Sequence, residues 1–212
     1  MTTHLGIAVA SSSRDALLRA ALRLSYFTIV WNGVIGALAL IVGLTTGSLA
    51  LAGFALNALL DSSASVALVW RFRRERTDPE AAEHLERRAQ TWIIAAMLVI
   101  AAYIGVQAVR ALLEGSHPEP SALGLSIAAV SLLVLPPLGI LKLSLAGRLE
   151  SPALRGDGVL TLAAAALAVI TLVALILSST LAWWWADPLA ALLIACALAG
   201  EASRVAVRHR FG

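Results

Sequence analysis

An all-α, polytopic membrane protein with six transmembrane helices is the fold class this sequence predicts, on three observations. Of its 212 residues, 59% are hydrophobic and 14% are charged, whereas soluble chains carry about 25% charged residues. The chain divides into six apolar runs, each close to the ~20 residues that a helix needs to cross a bilayer. Its basic residues gather on alternate links between those runs. Six spans with short links also leave no room for a separate soluble domain.

The runs lie at 24–44, 48–70, 91–113, 122–144, 156–179 and 182–204. They divide the chain into a cytoplasmic N-terminal segment 1–23, a six-helix domain 24–204 and a short cytoplasmic tail 205–212. Spans one and two are joined by very few residues, as are spans five and six, so each pair must form an antiparallel hairpin. Arg14, Arg19 and Arg23 precede span one, and Arg71, Arg73, Arg74, Arg76, Arg87 and Arg88 fill the second link. Lys142, Arg148 and Arg155 flank the fourth link, and Arg204, Arg208 and Arg210 follow span six. Only Arg110 falls on the other side, which leaves fifteen of the sixteen Lys and Arg residues on one face. The positive-inside rule then places both termini in the cytoplasm.

The formal charge of +3 reflects this orientation, so a nucleic-acid partner is not expected. Residues 1–20 lack the apolar core of a signal peptide, and a multi-pass protein of the plasma (inner) membrane is the expectation. Cys196 excludes an intrachain disulfide by being the sole cysteine. It reads as a small packing residue rather than a metal ligand.

Smaller features suit the same plan. Trp183, Trp184 and Trp185 at the start of span six, with Trp70 and Trp92 at the opposite interface, read as belt anchors. Gly33, Gly36, Gly43 and Gly47 are small residues that permit close helix contact. Pro136 and Pro137 predict a kink or break in span four, with freed carbonyls. In the second link, Thr77 or Asp78 is placed to cap a short helix with Pro79 in its first turn. Glu80, Glu83 and His84 on that helix read as a solvated surface, the alternative being a weak metal-collecting patch. His117 reads as a polar loop residue.

The residue that points to chemistry is Asp61. A carboxylate inside a spanning helix costs several kcal/mol unless it faces protein, water or a cation. Asn57 lies four residues earlier, on the same helical face and about 6 Å away along the axis. Two oxygen-bearing side chains on one buried face are the minimum of an ion or proton site. The plain alternative is a protonated Asp61, hydrogen-bonded to Asn57 or to a serine of a neighbouring helix. Asp157 reads either as an acid favoured by the helix dipole at the start of span five or as part of an ion path. Asp187, before Pro188, reads as structural.

Three tracts carry a family resemblance. Gly47-Ser-Leu-Ala-Leu-Ala-Gly-Phe-Ala-Leu-Asn57-Ala-Leu-Leu-Asp61 resembles the second span of the cation diffusion facilitators, which typically holds two acidic ligands four apart. Trp184-Trp185-Ala-Asp187-Pro188 looks like their sixth span, and Glu150-Ser-Pro-Ala-Leu-Arg-Gly-Asp157 is similar to the approach to their fifth. The tract from Asp61 to Arg71 looks closer to a small subgroup without the cytoplasmic domain. The resemblance implies outward movement of divalent metals, usually zinc, by proton antiport in a homodimer, with a tetrahedral site shared between spans two and five.

Carried over by position, the resemblance gives Asn57 and Asp61 in span two, but Leu160 and Ala164 where span five should offer a His and an Asp. Zinc favours four ligands rich in nitrogen and sulfur. An oxygen-only site of Asp61, Asn57 and Asp157, with Thr161, Ser62 and Ser65 able to add oxygens, favours harder ions such as magnesium or manganese. The expected function is a transporter moving a divalent cation (zinc, manganese, cobalt or similar) out of the cytoplasm through an atypical oxygen-rich site. The expected partners are lipid, the cation, protons and a second copy, with no prosthetic group. The alternative is a non-transporting scaffold or regulatory relative. No Ser-His-Asp set and no phosphate-binding glycine loop is present, so an enzyme is not expected.

Overall fold

The computed structural model of the chain describes residues 2–74, 79–119 and 121–211, with side chains over 16–63, 65–67, 69–70, 91–119, 121–151, 154–204 and 206–207. Six helices account for nearly all of it: α1 Thr2–Thr46, α2 Leu49–Arg74, α3 Pro79–Glu114, α4 Ala122–Leu149, α5 Pro152–Leu181 and α6 Ala186–Phe211. Each contains a stretch long and apolar enough to cross a membrane, as the six runs predict.

The termini of the elements follow from local chemistry. Gly47, at φ +72°, takes the left-handed turn that lets α2 start two residues after α1 ends. Ser121 and Ser151 cap α4 and α5 by accepting from the amides of Gly124 and Leu154. Pro152 occupies the first turn of α5, where its missing N–H costs nothing. Pro79 opens α3 as expected, but that helix runs on into span three instead of forming a separate short helix. Thr77, Asp78 and the side chains of Glu80, Glu83 and His84 lie outside the described residues. Pro136 and Pro137 do not break α4, which is helical through both. The helix α1 reaches back to Thr2 and is continuous with its apolar run.

Four helices close a ring. Along it α1 packs on α2, α2 on α5, α5 on α4 and α4 back on α1, while α3 and α6 form a pair against α2. Helix α2 therefore touches α1, α3, α5 and α6 and is the most enclosed element. The α1–α2, α3–α4 and α5–α6 links meet at one end of the bundle. There the Glu119 amide donates to the Thr46 carbonyl at 2.8 Å, and the ring of His117 lies 5.9 Å from that of Trp184. Large apolar side chains such as Val30, Leu44, Val99 and Leu133 cover the outside, the surface a lipid solvent requires. Cys196 is exposed on that outside rather than packed inside.

Backbone proximity comes from small residues. A Cβ on Gly43 would stand 2.8 Å from the Ala52 amide nitrogen, and one on Gly36 would meet Leu59 at 3.1 Å, so α1 and α2 run in close contact. Gly139 and Gly158 do the same for α4 and α5 against Leu162 and Leu143. Gly33 has nothing within 4 Å and makes no such contact.

Candidate functional site

A polar cluster fills the inside of the four-helix ring. It begins with the α4–α5 hairpin, where Glu150 in the left-handed conformation ends α4 and Ser151 starts α5. Lys142 lies eight residues before Glu150 and Asp157 seven after it. At ~1.5 Å per residue both stand roughly 10–12 Å from the turn, at one level. Gly139 and Gly158 bring the two backbones together beside them. The Lys142 ammonium reaches Asp157 Oδ2 at 2.7 Å, with the lysine side chain fully buried. It also donates to Thr161 Oγ1 at 3.0 Å, and Thr161 in turn donates to the Asp157 carbonyl at 2.9 Å.

Helix α2 faces this pair. Ser65 Oγ donates to Asp157 Oδ1 at 2.8 Å, while Oδ2 has the Lys142 ammonium beside it but accepts no hydrogen bond. Asp61 lies one turn before Ser65, on the same face. Its Oδ2 accepts from Asn32 Nδ2 of α1 at 2.6 Å, while its Oδ1 is buried without a hydrogen-bond partner. The charges of Lys142, Asp157 and Glu201 all act on Asp61. Two carboxyl groups and one ammonium thus lie together in a low-dielectric interior.

The expected site residues separate accordingly. Asp61 and Asp157 share the cluster. Asn57 is buried one turn from Asp61, but its side chain makes no hydrogen bond to another described residue; the amide on Asp61 is Asn32. Asp157 is the sixth residue of α5, buried and ion-paired, so it is not merely an acid at the helix start. Ser65 and Thr161 join the cluster, whereas Ser62 donates to the Ile29 carbonyl and ties α2 to α1. Ala164 packs in the apolar core and Leu160 is half-buried, so neither supplies a ligand. Among the described residues no three His, Cys, Asp or Glu side chains gather as a metal-binding group.

Two members were not anticipated. Lys142, read from sequence as a residue flanking the fourth link, sits inside α4 with its ammonium in the ring. Asn32 was not singled out at all. The signal for both was available: each is a polar residue inside an apolar run, where burial demands a partner.

Asp187 stands apart from the cluster, in the first turn of α6. Its carboxylate accepts from Ser48 Oγ at 2.5 Å and from the amides of Leu49 and Ala50 at 2.7 and 3.3 Å. It therefore caps the N-terminus of α2 from another helix, the structural role expected of it.

A search among curated proteins gives no match for this chain. Comparison with family profiles matches residues 25–210 to the cation efflux transmembrane domain, in agreement with the resemblance in spans two, five and six. A six-span bundle whose second helix carries a buried acid, with this match running through all six helices, belongs to the cation efflux transmembrane-domain family.

Proposed function

We propose that the chain carries a divalent metal cation across the membrane through the cluster between α2 and α5, with Asp61 as principal ligand. The family moves metal cations in general; the rest of this reading draws on the residues. It is carried by Asp61 Oδ1, a carboxylate oxygen buried in a spanning helix with no partner of its own. Asp157 supplies a second carboxylate and Asn57 a neighbouring amide oxygen, and waters complete the shell. Such a set favours manganese or magnesium over zinc, because it offers oxygen and neither imidazole nor thiolate. Carboxylates that hold either a metal or a proton suit exchange of one for the other, so outward transport by proton antiport fits. The arginine distribution supports cytoplasmic termini, the family resemblance supports a homodimer, and a plasma-membrane location belongs to the same reading.

The test is metal-dependent flux in proteoliposomes, screening manganese, magnesium, cobalt and zinc, with Asp61→Asn alongside. Flux that Asp61→Asn abolishes supports the reading, and flux unchanged by it refutes the assignment of Asp61. A second reading, a non-transporting relative, is favoured by one observation: an ammonium already occupies part of the site. It predicts no flux for any ion from folded protein.

A further inference from the structure

We propose that Lys142 is a tethered competitor for the transported cation: its ammonium holds the place of the metal at Asp157, in the cluster that also contains Asp61, and a divalent ion binds by displacing it. The proposal rests on the reading that the Asp61–Asp157 cluster is the cation site. Three observations carry it. Lys142 is fully buried in the ring, at 2.7 Å from Asp157 Oδ2, and the other oxygen of Asp157 accepts from Ser65, one turn from Asp61 on the facing helix. Its other described partner, Thr161, bonds onward to the backbone of the same Asp157 residue. Asp61 Oδ1 has no partner, so the ammonium satisfies one carboxylate and leaves the other incompletely answered.

The charge balance gives Lys142 its function. With both acids ionised and the ammonium in place, the group carries one net negative charge, enough for a single positive charge at Asp61. A divalent ion bridging Asp61 and Asp157 needs both carboxylates and cannot share the site with an ammonium at contact distance from one of them. The flexible four-carbon stem of lysine lets the ammonium leave Asp157 without movement of the backbone. The site is thus weaker for metal than its acids alone would make it, and its occupancy alternates between a charge built into the chain and a charge carried through it. Lys142 determines specificity by setting the charge that cargo must bring.

The experiment compares zinc and manganese binding by equilibrium dialysis to the full chain and to Lys142→Met, with helix content and monodispersity confirming the fold. Metal bound at least tenfold more tightly by Lys142→Met is the expected result. Equal or weaker binding, or binding by neither protein, overturns the proposal. Should Lys142→Met fail to fold, the wild-type chain supplies the readout, because Lys142 is its one lysine. Protein grown on [13Cε]-lysine then gives a single side-chain resonance. Saturable movement of that resonance by magnesium, lost in Asp61→Asn, is expected; an unmoved resonance overturns the proposal. Wild-type flux separates the two claims. Tight binding by Lys142→Met without wild-type flux removes the transport reading and keeps the competitor. Wild-type flux with unchanged affinity in Lys142→Met does the reverse.

Discussion

Lys142→Met and Asp157→Asn, made singly and together, form a double-mutant cycle on an ion pair with almost no water around it. The ammonium and carboxylate are 2.7 Å apart and their side chains are 0% and 4% exposed. At an effective dielectric of ~20 their attraction is about 6 kcal/mol. Desolvation of each ion costs several kcal/mol in return, so the intact pair contributes little net stability. Removing one partner strands the other, and for buried pairs that costs about 3–5 kcal/mol. The bilayer moves both single variants toward the low end, because a membrane-inserted unfolded chain also finds partners for its polar groups. Each single variant should therefore lose about 3 kcal/mol, and the double variant should stay within about 1 kcal/mol of wild type. Ser65 and Thr161 remain in all three variants, so the cycle isolates the charge pair. Unfolding in mixed micelles, followed by circular dichroism, reads all four proteins. Two small single effects that add to give the double would refute the reasoning, by showing that water reaches the pair and screens it.

The remaining predictions concern packing and capping. Asp187→Ala removes three hydrogen bonds to the start of α2 and should cost about 2–4 kcal/mol in the same assay. Flux per folded molecule should be unchanged, and a lost flux with normal stability would move Asp187 into the ion path. Gly43→Ala places a methyl 2.8 Å from a backbone nitrogen of α2 and should destabilise by about 1–3 kcal/mol. Gly33→Ala meets nothing within 4 Å and should be neutral or stabilising by up to ~1 kcal/mol, the helix propensity gain. Equal effects of the two alanines would contradict the α1–α2 contact.

The spans were legible because apolar length and a buried acid are properties of a local window. So were the start of α3 at Pro79 and the structural part played by Asp187 beside Pro188. Asp61 stood out because a carboxylate in an apolar helix has few reasons to be there. Its partner was not legible, because Asn32 is 29 residues away and only the α1–α2 contact brings them together. Lys142 was misread for a related reason. It lies six residues before Arg148, and a basic residue near a span end looks like a topological marker. Its apolar neighbours Leu141, Leu143 and Leu145 were the contrary sign, since α4 continues to Leu149 and draws the lysine inside. Family positions led to Leu160 and Ala164, whereas the α5 residues that meet the Lys142 ammonium are Asp157 and Thr161, approached from α4.

Helix α2 is held at its N-terminus and near its middle by different bonds. At Ser48 to Ala50 three short contacts fasten it to Asp187 of α6, and deeper in the bundle it meets α1 and α5 through Asn32–Asp61 and Ser65–Asp157. Were the first fastening to act as a pivot, the rest of α2 would be its lever arm. Asp61 lies twelve residues from Leu49, about 18 Å along the axis. A rotation of about 10° around the pivot therefore sweeps the carboxylate through roughly 3 Å. That arc is as long as the contacts that close the cluster, so a small swing of one helix suffices to open it.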